Sequence, residues 1–293
     1  MTDTAPAGAT TAPAAGPVQP GQYDIPAEQY HADPVPGGSL SSSGARQLLA
    51  ECPAKFAHDR AHGSTGTRAM EFGTAAHTAI LGIGPDIVRV DAKDWRTKQA
   101  QQQRDAARAE GAVPLLAAEY DRLLAMADAL QAHPRAAELF APGGEPEQTF
   151  IWQDGETGVW CRSRVDWLPP VGGGRLTLTD YKTTVSASPR AIAEAVYRCG
   201  YHQQAAFYLD GIRAVLGVDA VFEFVFQEKT PPYVVTVARL DLETLQLGAA
   251  RNRRARHIFA ECQRTGIWPD WGPDTHFLSL PPWAAFRDAE EYL

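Results

Sequence analysis

The chain has 293 residues, 44% hydrophobic and 21% charged, with a net charge of −8. That length supports one large domain or two small ones, and the acidic balance argues against a protein that coats nucleic acid by bulk electrostatics. It leaves room for a carboxylate-rich site that meets phosphate through bound cations.

No run approaches the roughly 18 apolar residues of a membrane span, and no basic and apolar leader opens the chain. Cys52, Cys161, Cys199 and Cys262 lie far apart without zinc or disulfide-framework spacing. A cytoplasmic protein that does not enter membranes is expected.

Residues 1–20 are almost entirely Ala, Pro, Thr and Gly, so a disordered tail is expected there, with a single domain over 21–293. Residues 21–38 read as extended, Pro-punctuated chain. "SLSSSGARQLLAECPAKFAHDR" predicts a helix capped by Ser42 or Ser43, with Leu48, Leu49 and Phe56 turned inward. "GTAAHTAILG" predicts a short buried helix, residues 95–111 a polar helix, and 113–132 a helix with a Leu/Ala/Met face.

The period then changes. "EQTFIWQD", "VWCRSRVDWL" and "RLTLTDYKTT" predict three strands separated by turns at "GETG" and "PPVGGG". Residues 188–200 predict a helix with Ser188 as cap, Pro189 at its first position and Gly200 at its end. A helix over 201–217, strands at 220–229 and 233–240, and a long helix at 241–264 follow. The order implies an α/β fold with a central mixed sheet flanked by helices.

Alternate residues of a strand share a face, so Asp180 and Lys182 point the same way, and Asp166 shares its face with Arg162 and Arg164. Paired through the Pro/Gly loop, Asp166 and Asp180 converge on one point. Three ionisable groups on adjacent strands form either a structural ion cluster or a metal-dependent site. Two carboxylates beside an amine suit Mg²⁺, a hard cation held by one or two carboxylates together with substrate oxygens. The run "RNRRARH" at 251–257 reads as a solvated helix face.

The hairpin Asp166–x(13)–Asp180–x–Lys182 resembles the PD-(D/E)xK nucleases. "TGVWCRSRVDWL", "LTDYKTTVSASP" and "YHQQAAFY" resemble the RecE/exodeoxyribonuclease VIII-type, RecB-like branch. "SLSSSGARQLLAECPAKF", "FGTAAHTAILG", "DWRTKQAQQQRDAARAEG" and "LPPWA" fit the same branch, so the resemblance spans roughly residues 22–285.

It implies a restriction-endonuclease-like core in which Asp166, Asp180 and Lys182 are catalytic. His77 falls on the branch's helix histidine, and Gln204 and Tyr208 on its Gln-x-x-x-Tyr motif. Glu147, or else Glu145, would be a further metal ligand, and the Tyr181 carbonyl another. The implied activity is Mg²⁺-dependent (Mn²⁺ substituting) exonuclease action on double-stranded DNA ends, 5′ to 3′, for recombination by single-strand annealing. A RecT-like annealing partner, a phage setting and a homo-oligomer come with it. The alternatives are an endonuclease, a CRISPR-associated type of end-processing nuclease, or an inactive DNA-binding module.

Overall fold

The computed structural model describes residues 10–11, 18–63, 68–141, 143–170 and 175–293. Most of the expected tail lies outside the described residues. Val18, expected in that tail, is buried with Tyr23, Ile25, Tyr30 and Val35 against Ile151. The packed body therefore begins ahead of Gly21.

The entry segment carries more structure than its prolines suggest. Beside β1 (Thr10–Thr11) runs β2 (Gly21–Asp24), followed by α1 (Ala27–His31) and β3 (Leu40–Ser41). The first predicted helix is two helices, α2 (Ser42–Ala50) and α3 (Pro53–His62), because Pro53 lacks the N–H that would continue α2 and instead opens α3. The cap of α2 is Ser41, one residue earlier than expected; its Oγ accepts from the Gly44 N–H at 3.1 Å.

Next come α4 (Arg68–Leu81), β4 (Ile87–Val90), α5 (Lys98–Ala109), β5 (Val113–Leu116), α6 (Ala117–Gln131) and α7 (Pro134–Leu139). Residues 113–116, expected as the start of a helix, pair instead as a parallel strand with β4. Glu119 then accepts from the Leu116 N–H at 3.0 Å and starts α6.

The three predicted strands form β6 (Glu145–Gln153), β7 (Trp160–Leu168) and β8 (Leu176–Thr184). Helices α8 (Pro189–Cys199) and α9 (Tyr201–Leu216) carry the chain over to β9 (Ala220–Glu228), which lies parallel to β8. Strand β10 (Val235–Arg239) returns antiparallel, and α10 (Leu242–Thr265) and α11 (Pro282–Tyr292) close the chain. Ser188, Pro189 and the left-handed Gly200 act as the sequence predicts.

The result is an eight-stranded mixed sheet, ordered β1-β2-β6-β7-β8-β9-β10, with β3 on β7. One face buries Leu178, Phe222, Phe224 and Phe226 under α2, α9 and α10. The other buries Trp167, Tyr181 and Val225 under α4 and α6. Each fully buried aromatic or aliphatic side chain stabilises the fold by about 1.5–3 kcal/mol. Helices α9 and α10 touch at Gly248, where a Cβ would come within 2.2 Å of the His202 carbonyl. Among the described residues no helix is long and apolar enough to cross a membrane.

Of the basic run on α10, Arg253, Arg254 and His257 are exposed, as expected of a solvated helix face, and Arg256 is not. Arg256 is buried and pairs with Asp154 at 3.1 Å and Asp210 at 2.8 Å, while His257 reaches Glu156 at 3.1 Å. These contacts clamp α10 to α9 and to the β6–β7 turn.

Candidate active site

The sheet is interrupted where β7 meets β8. The two strands pair only at Trp167↔Thr179, and the opposite half of β7 pairs with β3 at Cys161 and Arg162. Beyond its one pairing β8 is held by β9, through nine consecutive partners from Leu176 to Thr184. The strands thus fork, and Asp166 lies between the part of β7 bonded to β3 and the part bonded to β8.

The fork leaves the Tyr181 N–H without a ladder partner on β7, and the Asp166 carboxylate supplies one: Oδ2 accepts from it at 2.9 Å. His77 Nδ1 on α4 stands 3.6 Å from the same oxygen, so both contacts fall on Oδ2. Burial, followed by the neighbouring Asp180 charge, raises the Asp166 carboxyl from its usual 3.8 to about 6, against the lowering pull of His77 and Lys182.

Asp180 is 1% exposed. Gln204 Nε2 on α9 donates to its Oδ1 at 2.6 Å, and Lys182 Nζ is 2.5 Å from Oδ2. That Oδ2 accepts no well-aligned hydrogen bond although it is shut off from solvent. Lys182 lies over the Tyr201 ring, 5.4 Å from its centroid, and Tyr201 itself rests on Phe224 and Phe226. The ring is a shelf that holds the ammonium over the carboxylate.

One turn along α9 from Gln204, Tyr208 is buried, and desolvation pushes its hydroxyl well above 10. Among the sequence-predicted residues, His77, Asp166, Tyr181, Asp180, Lys182 and Gln204 therefore form one connected set. Tyr208 adjoins it through the field of the two carboxylates.

Glu147 is placed differently. It lies opposite Asp166 where the β6–β7 ladder skips a pair, with a φ of 52° that non-glycine residues rarely adopt. Its carboxylate is gripped by Arg164, at 3.0 Å from Nε and 2.5 Å from Nη2. Glu145 accepts from Gln22 at 3.1 Å at the exposed start of β6. Among the described residues no three His, Cys, Asp or Glu side chains converge as a ready metal cage.

Arg162 and Arg164 brace the entry segment. Arg162 donates to the Tyr30 and Ser39 carbonyls and pairs with Asp33, and Arg164 donates to the Ile25 carbonyl at 2.7 Å.

Two supporting residues escape sequence reasoning. Tyr201 is one; Gln227 on β9 is the other. The Tyr181 hydroxyl donates to Gln227 Oε1 at 2.6 Å, and Gln227 Nε2 donates to the Met126 carbonyl at 2.7 Å, all in the interior. This chain fixes the residue between Asp180 and Lys182 to α6. Truncating either partner leaves a buried polar group unpaired, which costs about 1–3 kcal/mol. Gln227→Leu and Tyr181→Phe are each expected to lower unfolding free energy by about that amount, and the double variant by less than the sum. Additive losses in urea titrations would show that the two side chains act independently.

The raised Asp166 pKa fixes the sign of a pH effect. Folding disfavours the ionised carboxylate, so its favourable contribution is complete below pH 3.8 and is lost as pH rises through about 6. The loss at neutral pH is about 3 kcal/mol. Asp166→Asn is expected to raise the Tm of cation-free protein by roughly 5 °C at pH 7.5 and hardly at all at pH 4. Equal shifts at both pH values would remove the carboxylate charge as the cause.

Comparison with known proteins agrees with this fold. The chain shares a fold with the crystal structure of a "putative exonuclease" from Eubacterium rectale, at a TM-score of 0.60 and 11% identity over 88% of this chain and 96% of that one. Against the crystal structure of SSO0001 the TM-score is 0.28, at 14% identity over 69% and 95% of the two chains. No curated protein matches. The profile of a family described as a PDDEXK-like domain of unknown function (DUF3799) matches residues 41–275, a span that contains His77, Asp166, Asp180, Lys182, Gln204 and Tyr208. With Asp166, Asp180 and Lys182 brought together at the fork of its sheet, the chain belongs to this PDDEXK-like family.

Proposed function

We propose that the protein is a divalent-metal-dependent DNA nuclease, and specifically a RecE-type exonuclease that shortens double-stranded ends. The observation that carries the reading is the fork. It gathers two carboxylates and a lysine on the family's motif, one carboxylate oxygen buried with only the lysine ammonium against it.

The residues present fit a hard cation. Asp180 Oδ2 meets only the Lys182 ammonium, Asp166 uses only Oδ2, and Mg²⁺ needs few protein ligands because it keeps waters and takes substrate oxygens. Asp166 and Asp180 would hold it, with the Tyr181 carbonyl and His77 beside them; Glu147 would join only by releasing Arg164. When bound, the cation offsets the charge developing on the phosphate and makes water acidic enough to deprotonate near neutral pH.

The chain's own groups do the rest. Gln204 Nε2 fixes the rotamer of Asp180 through Oδ1, leaving Oδ2 to the Lys182 ammonium and, once that shifts, to a cation. The Tyr181 N–H and His77 fix Asp166. Lys182 Nζ, steadied by Tyr201, supplies a positive charge beside the reacting phosphate and orients the attacking water. Mn²⁺ is expected to replace Mg²⁺. A homo-oligomer, a RecT-like annealing partner and a recombination role follow from the RecE resemblance alone.

Incubation with linear and closed circular duplex, with and without Mg²⁺, tests the reading. Metal-dependent loss of linear DNA alone is expected. Cutting of circles would make the protein an endonuclease, and binding without cleavage an inactive module.

A further inference from the structure

Arginines in this chain grip anions along one edge of the guanidinium. Arg135 holds Glu223, Arg164 holds Glu147 and Arg213 holds Asp219, each through Nε and Nη2 together. This edge is the geometry that recognises a carboxylate or a phosphate. On Arg46 of α2 it is empty. Nη1 donates to the Cys199 carbonyl at 2.8 Å, while among the described residues Nε is buried without a partner and Nη2 makes no bond. Among the described residues no carboxylate pairs with it.

The place of Arg46 gives the empty edge its meaning. Its stem lies against the α8–α9 junction, so close that a Cβ on Gly200 would come within 2.9 Å of its Cδ. Helix α9, which starts there, carries Tyr201, Gln204 and Tyr208. Burial, then Tyr30, Asp180 and Asp166, raise the pKa of the Tyr208 hydroxyl, and Arg46 lowers it. One turn before Arg46 on the same face of α2, Ser42 is 4% exposed and its Oγ also has no partner. A half-buried cation without an anion and a buried hydroxyl without a bond both cost free energy in the free protein. Arg164, by contrast, commits all three of its nitrogens to its own chain, and Arg162 commits Nε and Nη1.

We propose that Arg46 is a phosphate anchor: its free Nε–Nη2 edge, with Ser42 behind it, takes a phosphate of the DNA strand close to the one that is cleaved. The inference rests on the nuclease reading and adds a substrate-binding residue to it. Because Nε is closed to solvent in the free protein, strand entry has to uncover the edge. The phosphate is either an internal diester or a terminal monoester, which share the same chemistry.

Arg46→Met keeps the stem that packs on Gly200 and removes the charge; Arg46→Lys keeps a charge without the fork. Binding of short blunt duplexes ending in 5′-phosphate, 3′-phosphate or hydroxyl is measured by anisotropy with Ca²⁺ in place of Mg²⁺, across a salt series, beside thermal melts. For Arg46→Met about tenfold weaker binding is expected, with the slope of log affinity against log salt reduced by about 0.9. Arg46→Lys is expected to keep the slope and recover part of the affinity.

Loss confined to phosphate-ended duplexes assigns the monoester, and equal loss on all three the diester; either supports the anchor. Wild-type affinity and slope in Arg46→Met would overturn it and leave Arg46 as a C-terminal cap of α8. A lower Tm with unchanged affinity of the folded protein would do the same. Wild-type protein that neither binds nor cuts duplex would overturn the nuclease reading, and the anchor with it.

Discussion

Asp180→Ala and Asp166→Ala are each expected to reduce Mg²⁺-dependent cleavage by at least ~10³-fold while leaving the protein folded. Removing a ligand takes away charge that no other side chain supplies, because Glu147 is already committed to Arg164. The two variants differ in what they leave behind. Without Asp180, the Gln204 amide and the Lys182 ammonium lose their partner in a nearly closed space, so a stability loss accompanies the activity loss. Asp180→Asn separates the two effects by keeping the side chain's shape. Rates above a tenth of wild type in both alanine variants would leave the cluster as a structural ion pair.

Lys182→Ala is expected to separate metal binding from chemistry. The ammonium is a point charge and not a ligand, so turnover should fall by ~10²-fold or more, the scale of one positioned group. Cation affinity should hold or rise slightly, since a like charge is removed from beside Asp180. Calorimetric Mg²⁺ titration beside single-turnover cleavage reads both halves. Weaker Mg²⁺ binding with an unchanged saturated rate would show that Lys182 only braces the carboxylate.

The central sheet and the site's main residues are legible in the sequence because they rest on local signals. Period-2 strands, the Ser188–Pro189 cap and the Gly200 stop each act within a few residues of where they are read. Asp166, Asp180 and Lys182 are legible as candidates from their spacing on two strands, whereas His77, Gln204 and Tyr208 come only from the family resemblance.

What is missed depends on distant pairing. Strand β3 is two residues long and exists because β7 offers it an edge; β5, "VPLL", becomes a strand only because β4 pairs with it. Gln227 gains its importance from Tyr181, 46 residues away, and Arg46 from a carbonyl 153 residues away. Glu147 was expected as a metal ligand, yet the structure commits its carboxylate to Arg164, which sequence spacing does not reveal. Helix α11 leaves Trp283, Phe286 and Tyr292 exposed.

Because β8 leans on β9 and touches β7 at one pair, the site cannot assemble as its chain segments emerge in order. Asp166 and Asp180 are synthesised 14 residues apart, but the strand that holds Asp180 in place ends only at Glu228. A parallel partner also requires the whole α8–α9 crossover to close first, which makes the pairing slow relative to a hairpin. A nascent chain therefore carries both carboxylates, close in sequence and unorganised, until β9 has left the ribosome. The candidate site is therefore expected to take shape late in synthesis, with the closure of the sheet.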